Sequence, residues 1–100
     1  MSSGVQISKN GAVIGTGADL DVTTVGFRPR RVEIVNTDGL VTAVWNDCMA
    51  EGRGFKRVTA GTMSQMAAGE GITSLANGFR IGVDADVNVD GEKIVYVAHE

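Results

Sequence analysis

Residues 31–46, with the sequence RVEIVNTDGLVTAVWN, decide the fold class of this chain. Val32 and Ile34 lie at alternate positions in residues 31–35, and Val41, Ala43 and Trp45 do so in residues 40–46. Between them, residues 36–39 (NTDG) are the residue types that favour a tight turn. A period of two is typical of a strand with one buried face. The stretch therefore predicts an antiparallel pair of strands joined by a turn.

The same pattern recurs along the rest of the chain. At the N-terminal end, Asn10-Gly11 separates an alternating apolar and polar segment (residues 5–8) from a short apolar run (residues 12–14), as in a hairpin with a two-residue turn. Asp90-Gly91 predicts another turn, between strands at residues 83–89 and 93–99. Further strands are predicted at residues 19–25, 55–59 and 79–83. About eight short strands without a long helical period predict an all-β fold, either an antiparallel β-sandwich or a jelly-roll-like barrel.

The segments between these strands are less regular. Residues 47–54 (DCMAEGRG) are compatible with one helical turn. Residues 62–68 predict a short helix with Met63 and Met66 on one side. Since no linker interrupts the pattern, we expect a single β domain over residues 1–100, in which residues 1–4 are a flexible arm that orders on docking.

Composition supports the all-β class. The chain has 14 valines and 6 isoleucines but only three leucines, together with 14 glycines and one proline. β-Branched side chains favour the pleated surface of a sheet, and a helical bundle with so little leucine would be unusual. With 43% hydrophobic residues in a chain of 100, one packed core is feasible.

Charge and hydropathy exclude several classes of partner. The formal net charge of −3 gives no broad basic surface for nucleic acid. No apolar run approaches the length of a membrane span, and the N-terminal residues do not resemble a secretory signal. We therefore expect a soluble protein, made in the cytoplasm, that binds neither nucleic acid nor a membrane directly. A single cysteine allows no internal disulfide.

One motif resembles a metal-binding loop. Asp86, Asn88 and Asp90 alternate before Gly91, as in the opening of a calcium loop. Position twelve of such a loop would be Val97, where a bidentate glutamate is needed, and no helix enters the segment. A hairpin turn with solvated acids is the favoured interpretation, and no cofactor is expected.

Cysteine and histidine, which serve as catalytic nucleophile, general base or zinc ligand in many enzymes, are scarce in this chain. Cys48 and His99 are the only cysteine and histidine, and no third group that would orient them can be identified. A zinc site would need several such ligands. Cys48 is expected to be a buried or half-buried structural thiol. We predict that the chain is not an enzyme.

Candidates for protein contact are more numerous. Basic residues concentrate near residues 28–31 and 53–57, where they are either rim charge on strand ends or a surface for an acidic partner. Aromatic and methionine side chains in the irregular middle are typical of protein–protein contacts, although they are as often core. The contact candidates are Arg28, Arg30, Arg31, Met49, Arg53, Phe55, Arg57, Met63 and Met66.

The order of these segments is similar to that of a known group of viral proteins. The similarity spans residues 26–98 and rests on GFRPRRVEIVN, AVWNDCMAEG, VTAGT, GIT, GFRIGVDADVN and GEKIVYVA. In this order the segments resemble small structural proteins of tailed bacteriophages, of the head decoration (capsid cement) type.

The resemblance implies a β-sandwich or jelly roll on the outer surface of the capsid. It also implies the major capsid protein as partner and a homo-oligomer, commonly a trimer at local threefold positions. Two alternatives remain open at this point. One is a tail- or fibre-associated accessory module that binds a receptor or carbohydrate, and the other is a small hydrolase or redox enzyme that depends on Cys48.

Overall fold

The computed structural model describes residues 8–58 and 61–100, and within them every regular element is a β-strand. Nine strands form two sheets. Their bounds are β1 Ser8–Ile14, β2 Leu20–Val22, β3 Arg31–Asn36, β4 Val41–Asn46, β5 Phe55–Arg57, β6 Met63–Gln65, β7 Ile72–Leu75, β8 Gly78–Ile81 and β9 Lys93–His99. The larger sheet has the order β1-β9-β3-β4-β5-β6, and the smaller has the order β2-β8-β7. All neighbouring strands are antiparallel.

The core lies between the two sheets. Alternate residues of β3, β4 and β9 face inward from the larger sheet, and Trp45, Ile34 and Ile94 are each at most 1% exposed. The smaller sheet contributes Phe79, whose ring meets that of Tyr96 edge-on at a centroid separation of 5.2 Å. This is a favoured arrangement for two aromatic rings. The predicted all-β antiparallel sandwich is confirmed.

The hairpin predicted around residues 31–46 is also confirmed. β3 and β4 pair over their whole length, from Arg31 opposite Asn46 to Asn36 opposite Val41. The buried side chain of Asn36 holds the turn, because its Oδ1 accepts hydrogen bonds from the amides of Asp38 (3.0 Å) and Gly39 (2.8 Å). Asn36, the last residue of β3, therefore stabilises the turn that follows it.

The Asn10-Gly11 turn prediction is wrong. Both residues lie inside β1, which pairs with β9 at seven consecutive positions. Gly11 lies opposite Tyr96, and a β-carbon there would be 2.7 Å from the tyrosine hydroxyl. The glycine is thus explained by close packing against an aromatic ring in the neighbouring strand. Residues 5–7 of the predicted hairpin, like residues 1–4, lie outside the described residues.

The predictions for the middle of the chain need two corrections. Residues 47–54 form turns and a single bridge rather than a helical turn. The predicted helix at residues 62–68 contains instead the strand β6, which extends the sheet beyond β5. Strand β7 was not predicted, because Gly69, Gly71 and Asn77-Gly78 around it favoured a loop. The predicted strand at residues 55–59 is confirmed over Phe55–Arg57, and Thr59 lies outside the described residues.

The Asp90-Gly91 hairpin prediction is wrong as well. β8 ends at Ile81 and pairs with β2 and β7, whereas β9 belongs to the other sheet. Residues 82–92 form a crossover loop between the two sheets. The strand predicted at residues 19–25 is shorter than expected, because the chain leaves the smaller sheet after Val22.

Candidate interaction surface

The larger sheet has a second face, which points away from the core. We call it the outer face, and strand pairing places its side chains in two rows that each cross all six strands. The first row is Asn10, Val97, Glu33, Val44, Phe55 and Gln65, and the second is Ala12, Val95, Val35, Thr42, Arg57 and Met63. Seven of these twelve side chains are apolar.

This apolar face is open to solvent. Phe55 is 40% exposed, Met63 56% and Val97 36%, and no other described element packs over them. Ile14, at the end of β1, adds a further exposed apolar side chain on the same face. Monomeric soluble proteins seldom expose contiguous apolar patches of this kind, and such patches mark interaction sites.

Two shallow hollows lie on the outer face. One has a volume of about 540 Å³ and lies over β1, β9 and β3. The other has a volume of about 350 Å³ and lies over β4, β5 and β6. The first is lined by Asn10, Gly11, Ala12, Glu33, Val35, Val95, Tyr96 and Val97, and the second by Thr42, Val44, Met49, Phe55, Lys56, Arg57 and Met63. Both hollows are mostly apolar, so they fit side chains of a protein better than a polar metabolite.

Charged groups lie at two places on this face. Glu33 lies 3.3 Å from the Arg31 guanidinium and 3.6 Å from His99 Nε2, which makes a small ionic cluster at one border. Arg57, in the second hollow, has no ion pair within the described part of the chain. A free arginine beside apolar side chains is a common anchor in protein interfaces.

The structure gathers four of the predicted contact residues in one place. Met49, Phe55, Arg57 and Met63 all line the second hollow. The valines of the outer face were not among the candidates. Their sequence signal was that residues 93–99 (KIVYVAH) carry apolar side chains at both alternating sets of positions, as in a strand covered on both faces.

The other predicted contact residues lie outside the second hollow. Arg28 and Arg30 are paired with Glu51 (3.6 Å) and Asp47 (2.9 Å) on the exposed surface, where such pairs add little stability. The hydrogen bond and charge of Asp47 raise the pKa of Arg30.

The last three contact candidates have different surroundings. Arg31 lies in the ionic cluster, and half-buried Arg53 forms a backbone bridge to Ile72. Met66 is wrongly placed among the contact candidates, because it is 1% exposed and belongs to the core.

The calcium-like motif is used for other purposes in this fold. Asn88 is 2% exposed, and its Oδ1 accepts from the amides of Thr16 (2.9 Å) and Gly17 (3.3 Å). Its Nδ2 donates to the carbonyl oxygens of Ala18 (2.6 Å) and Gly82 (2.9 Å). Asn88 thus ties the crossover loop to the 15–19 segment.

The two aspartates of the motif do not converge on Asn88. The Asp86 carboxylate binds Lys56 Nζ at 2.7 Å, and Asp90 is exposed. Within residues 8–58 and 61–100 there is no group of three His, Cys, Asp or Glu side chains that could hold a metal ion.

Lys56 forms the least exposed ionic group of the described residues. It lies on the inner side of β5, and its Nζ also contacts both carboxylate oxygens of Asp84, at 3.0 and 2.9 Å. Burial alone lowers the pKa of Lys56, but its hydrogen bonds with Asp86 and Asp84 outweigh that effect, so the pKa is raised. The group connects the larger sheet to the crossover loop.

Cys48 and His99, the only cysteine and histidine, lie in the turn after β4 and at the end of β9. Cys48 is exposed, so the prediction of a buried or half-buried thiol is wrong. The turn after β4 places it at the surface, where the Asn46 side chain accepts a hydrogen bond from its amide at 2.9 Å. His99 ends β9 and lies beside Glu33.

Comparisons with models of known protein families, with curated proteins and with solved structures found no match. Within the described ranges, no helical segment has the length and hydropathy that crossing a bilayer requires.

Proposed function

We propose that this chain is a non-enzymatic structural protein of a tailed-bacteriophage virion, and specifically a decoration protein that cements the assembled head. The observation that carries the proposal is the apolar outer face, which a three-stranded second sheet leaves uncovered on the opposite side of the molecule. The sequence resemblance supplies the partner, the major capsid protein, and the site of action on the outside of the virion.

The polar side chains also support a binding role over a catalytic one. The ionic groups of the described residues mostly pair with one another at the surface, and Lys56 pairs with the crossover loop. A binder that recognises the assembled shell, and not free subunits, stabilises the shell by its binding free energy. Assembly of the decoration protein as a trimer multiplies weak contacts through effective concentration.

The carbohydrate-binding alternative has less support in the fold. Sugar sites need exposed aromatic platforms, but Trp45 is 1% exposed, Tyr96 5% and Phe79 0%. Phe55 is the one aromatic side chain among the large exposed hydrophobic residues of the described chain. It lies among aliphatic side chains and not beside a second ring.

The test is binding to undecorated, expanded heads. The wild-type protein should cosediment with heads at a defined stoichiometry. The double substitution Phe55→Ser with Val97→Ser removes an apolar side chain from each hollow, and we expect affinity to fall about 10- to 100-fold.

Val83→Ser is the matched control. Val83 is also apolar and 44% exposed, but it lies after β8 and outside the outer face. Equal affinity of the double variant and the wild type would refute the assignment of the outer face. Binding to tails instead of heads would indicate that the outer face serves a tail accessory protein. Failure to bind any particle would refute the virion role.

A further inference from the structure

Lys56, Asp84 and Asp86 form a compact group between the larger sheet and the crossover loop. The side chains of Lys56 and Asp84 are only 15% and 4% exposed. Lys56 Nζ lies 3.0 and 2.9 Å from the two carboxylate oxygens of Asp84. An amine nitrogen at those two distances is about 3.3 Å or less from the carboxyl carbon, within the near-attack range of reacting atoms.

The backbone of the crossover loop prepares Asp84 as an electrophile. Its Oδ1 accepts hydrogen bonds from the amides of Asp86 (2.9 Å) and Val87 (3.3 Å). Two backbone N–H groups on one oxygen are the arrangement that stabilises the negative charge of a tetrahedral intermediate in acyl transfer. Oδ2 has no such donors in the described structure and is the oxygen that can leave.

Asp86 supplies a place for the proton. Its Oδ2 lies 2.7 Å from Lys56 Nζ, which is a short charge-assisted hydrogen bond. A carboxylate at this distance is within reach to accept a proton from the ammonium group and to return it. The side chain of Asp86 is 48% exposed, so it is more accessible to solvent than the other two.

We propose that Lys56 and Asp84 form an intramolecular isopeptide bond. One proton of the Lys56 ammonium passes to Oδ2 of Asp84 along their 2.9 Å hydrogen bond, and the neutral amine attacks Cγ of the protonated carboxyl group, forming the N–C bond. Asp86 then accepts a second proton from nitrogen and passes it to Oδ2, the C–O bond breaks, and one water molecule leaves. Asp86 ends as it began, a carboxylate, and no oxidant, reductant or other co-reactant is needed.

The fold supplies what favours this condensation over hydrolysis. Holding nucleophile and electrophile together gives effective molarities far above those of free amines and acids. The low exposure of Lys56 and Asp84 restricts access of water to the new amide. The soft χ2 torsion of aspartate lets the face of the carboxyl group turn to Nζ. The product would tie strand β5 to the crossover loop, 28 residues further along the chain.

Intact-mass spectrometry of the purified full-length chain, denatured before injection, is the direct test. We expect a mass lower than that of the sequence by one water molecule. Tryptic digestion should then release a branched peptide that joins residues 54–57 to residues 81–93, with Lys56 uncleaved. Wild-type protein at the full mass, with Lys56 and Asp84 in separate peptides, would overturn the proposal.

Two variants separate this bond from other losses of water. Lys56→Arg keeps the cation but cannot form the amide, so it should have the full mass. Succinimides at Asp38-Gly39 or Asp90-Gly91 also lose water, and a deficit that persists in Lys56→Arg would assign it to them and refute the proposal. Asp86→Asn keeps the size of the side chain and removes the proton acceptor. We expect at least tenfold slower conversion in this variant, with unchanged circular dichroism, whereas conversion at the wild-type rate would exclude the role of Asp86.

Discussion

The substitution Asn88→Asp tests whether Asn88 is a structural clamp, which holds the crossover loop to the 15–19 segment by hydrogen bonds, or a calcium ligand. The substitution changes one side-chain nitrogen to oxygen at a site that is 2% exposed. The new carboxylate can still accept from Thr16 and Gly17, but it cannot donate to Ala18 O or Gly82 O, which lie 2.6 and 2.9 Å from the present nitrogen. It loses two hydrogen bonds and places a negative charge against two carbonyl oxygens.

The expected cost follows from these contacts. Each lost hydrogen bond costs ~1 kcal/mol, and the uncompensated buried charge adds at least ~2 kcal/mol, for a total of ~4 kcal/mol. In a domain of this size that lowers Tm by roughly 15–30 °C. Burial beside the carbonyl oxygens raises the pKa of the new carboxyl group, so the cost is present at neutral pH and shrinks as pH falls through that raised pKa.

Urea denaturation at pH 7 and pH 4, with and without millimolar calcium, measures these effects. Asp90→Asn is the control, because Asp90 is exposed in the same motif, and we expect a change within ~0.5 kcal/mol. A calcium loop requires the opposite result, since a carboxylate in place of the amide would strengthen calcium binding. An Asn88→Asp variant as stable as wild type, or one that calcium stabilises, would refute the clamp.

Three further perturbations test other parts of the fold. Gly11→Val places side-chain atoms against the buried Tyr96 ring and should cost ~1–3 kcal/mol in urea titration, whereas Ala12→Val on the outer face should not; equal effects would contradict the packing argument. Leu40→Gly should raise the free energy of unfolding by up to ~1 kcal/mol, because Leu40 has a φ of 56° and is 65% exposed, and a loss of stability would show that the leucine packs in solution. A hydrogen bond from Arg80 lowers the pKa of Asp21 below its ordinary 3.8, so this pair stabilises the fold above that value and its contribution is lost as pH falls through the lowered pKa. Asp21→Asn should therefore flatten the acid side of the stability profile below pH 4, and an unchanged slope would exclude this pair as a source of acid sensitivity.

Strands β3, β4 and β9 could be predicted, because apolar residues occupy every second position of their sequences and the side chains at those positions are buried. The strands predicted at residues 31–35 and 40–46 agree within one residue with β3 and β4, and β9 covers the predicted residues 93–99. In these strands local preference and tertiary burial favour the same conformation. β7 differs, because Gly71 before it lies close to the backbone of Arg53 and Gly78 after it lies close to that of Val22, and local sequence does not reveal these contacts.

The wrong turns have a common cause. Asn10-Gly11 and Asp90-Gly91 both carry strong local turn preferences, but long-range partners decide their conformation. Tyr96 packs over Gly11, and the Gly91 amide donates to Gly15 O at 3.0 Å. The clamp formed by Asn88 was hidden for the same reason, since its partners are about 70 residues away in the sequence.

The apolar outer face could have been inferred from the sequence of strand β9. Strand β9 carries Val95 and Val97 on one face and Ile94 and Tyr96 on the other, a composition typical of a strand that is buried on both sides. Within residues 8–58 and 61–100, the three strands β2, β8 and β7 cover one side of the larger sheet, and no strand covers the other side. Apolar side chains on the opposite side add nothing to the core and increase the risk of aggregation when they are exposed. Their presence therefore favours a cover supplied from outside the described strands, which is the physical basis for proposing that this protein acts by binding to a larger particle.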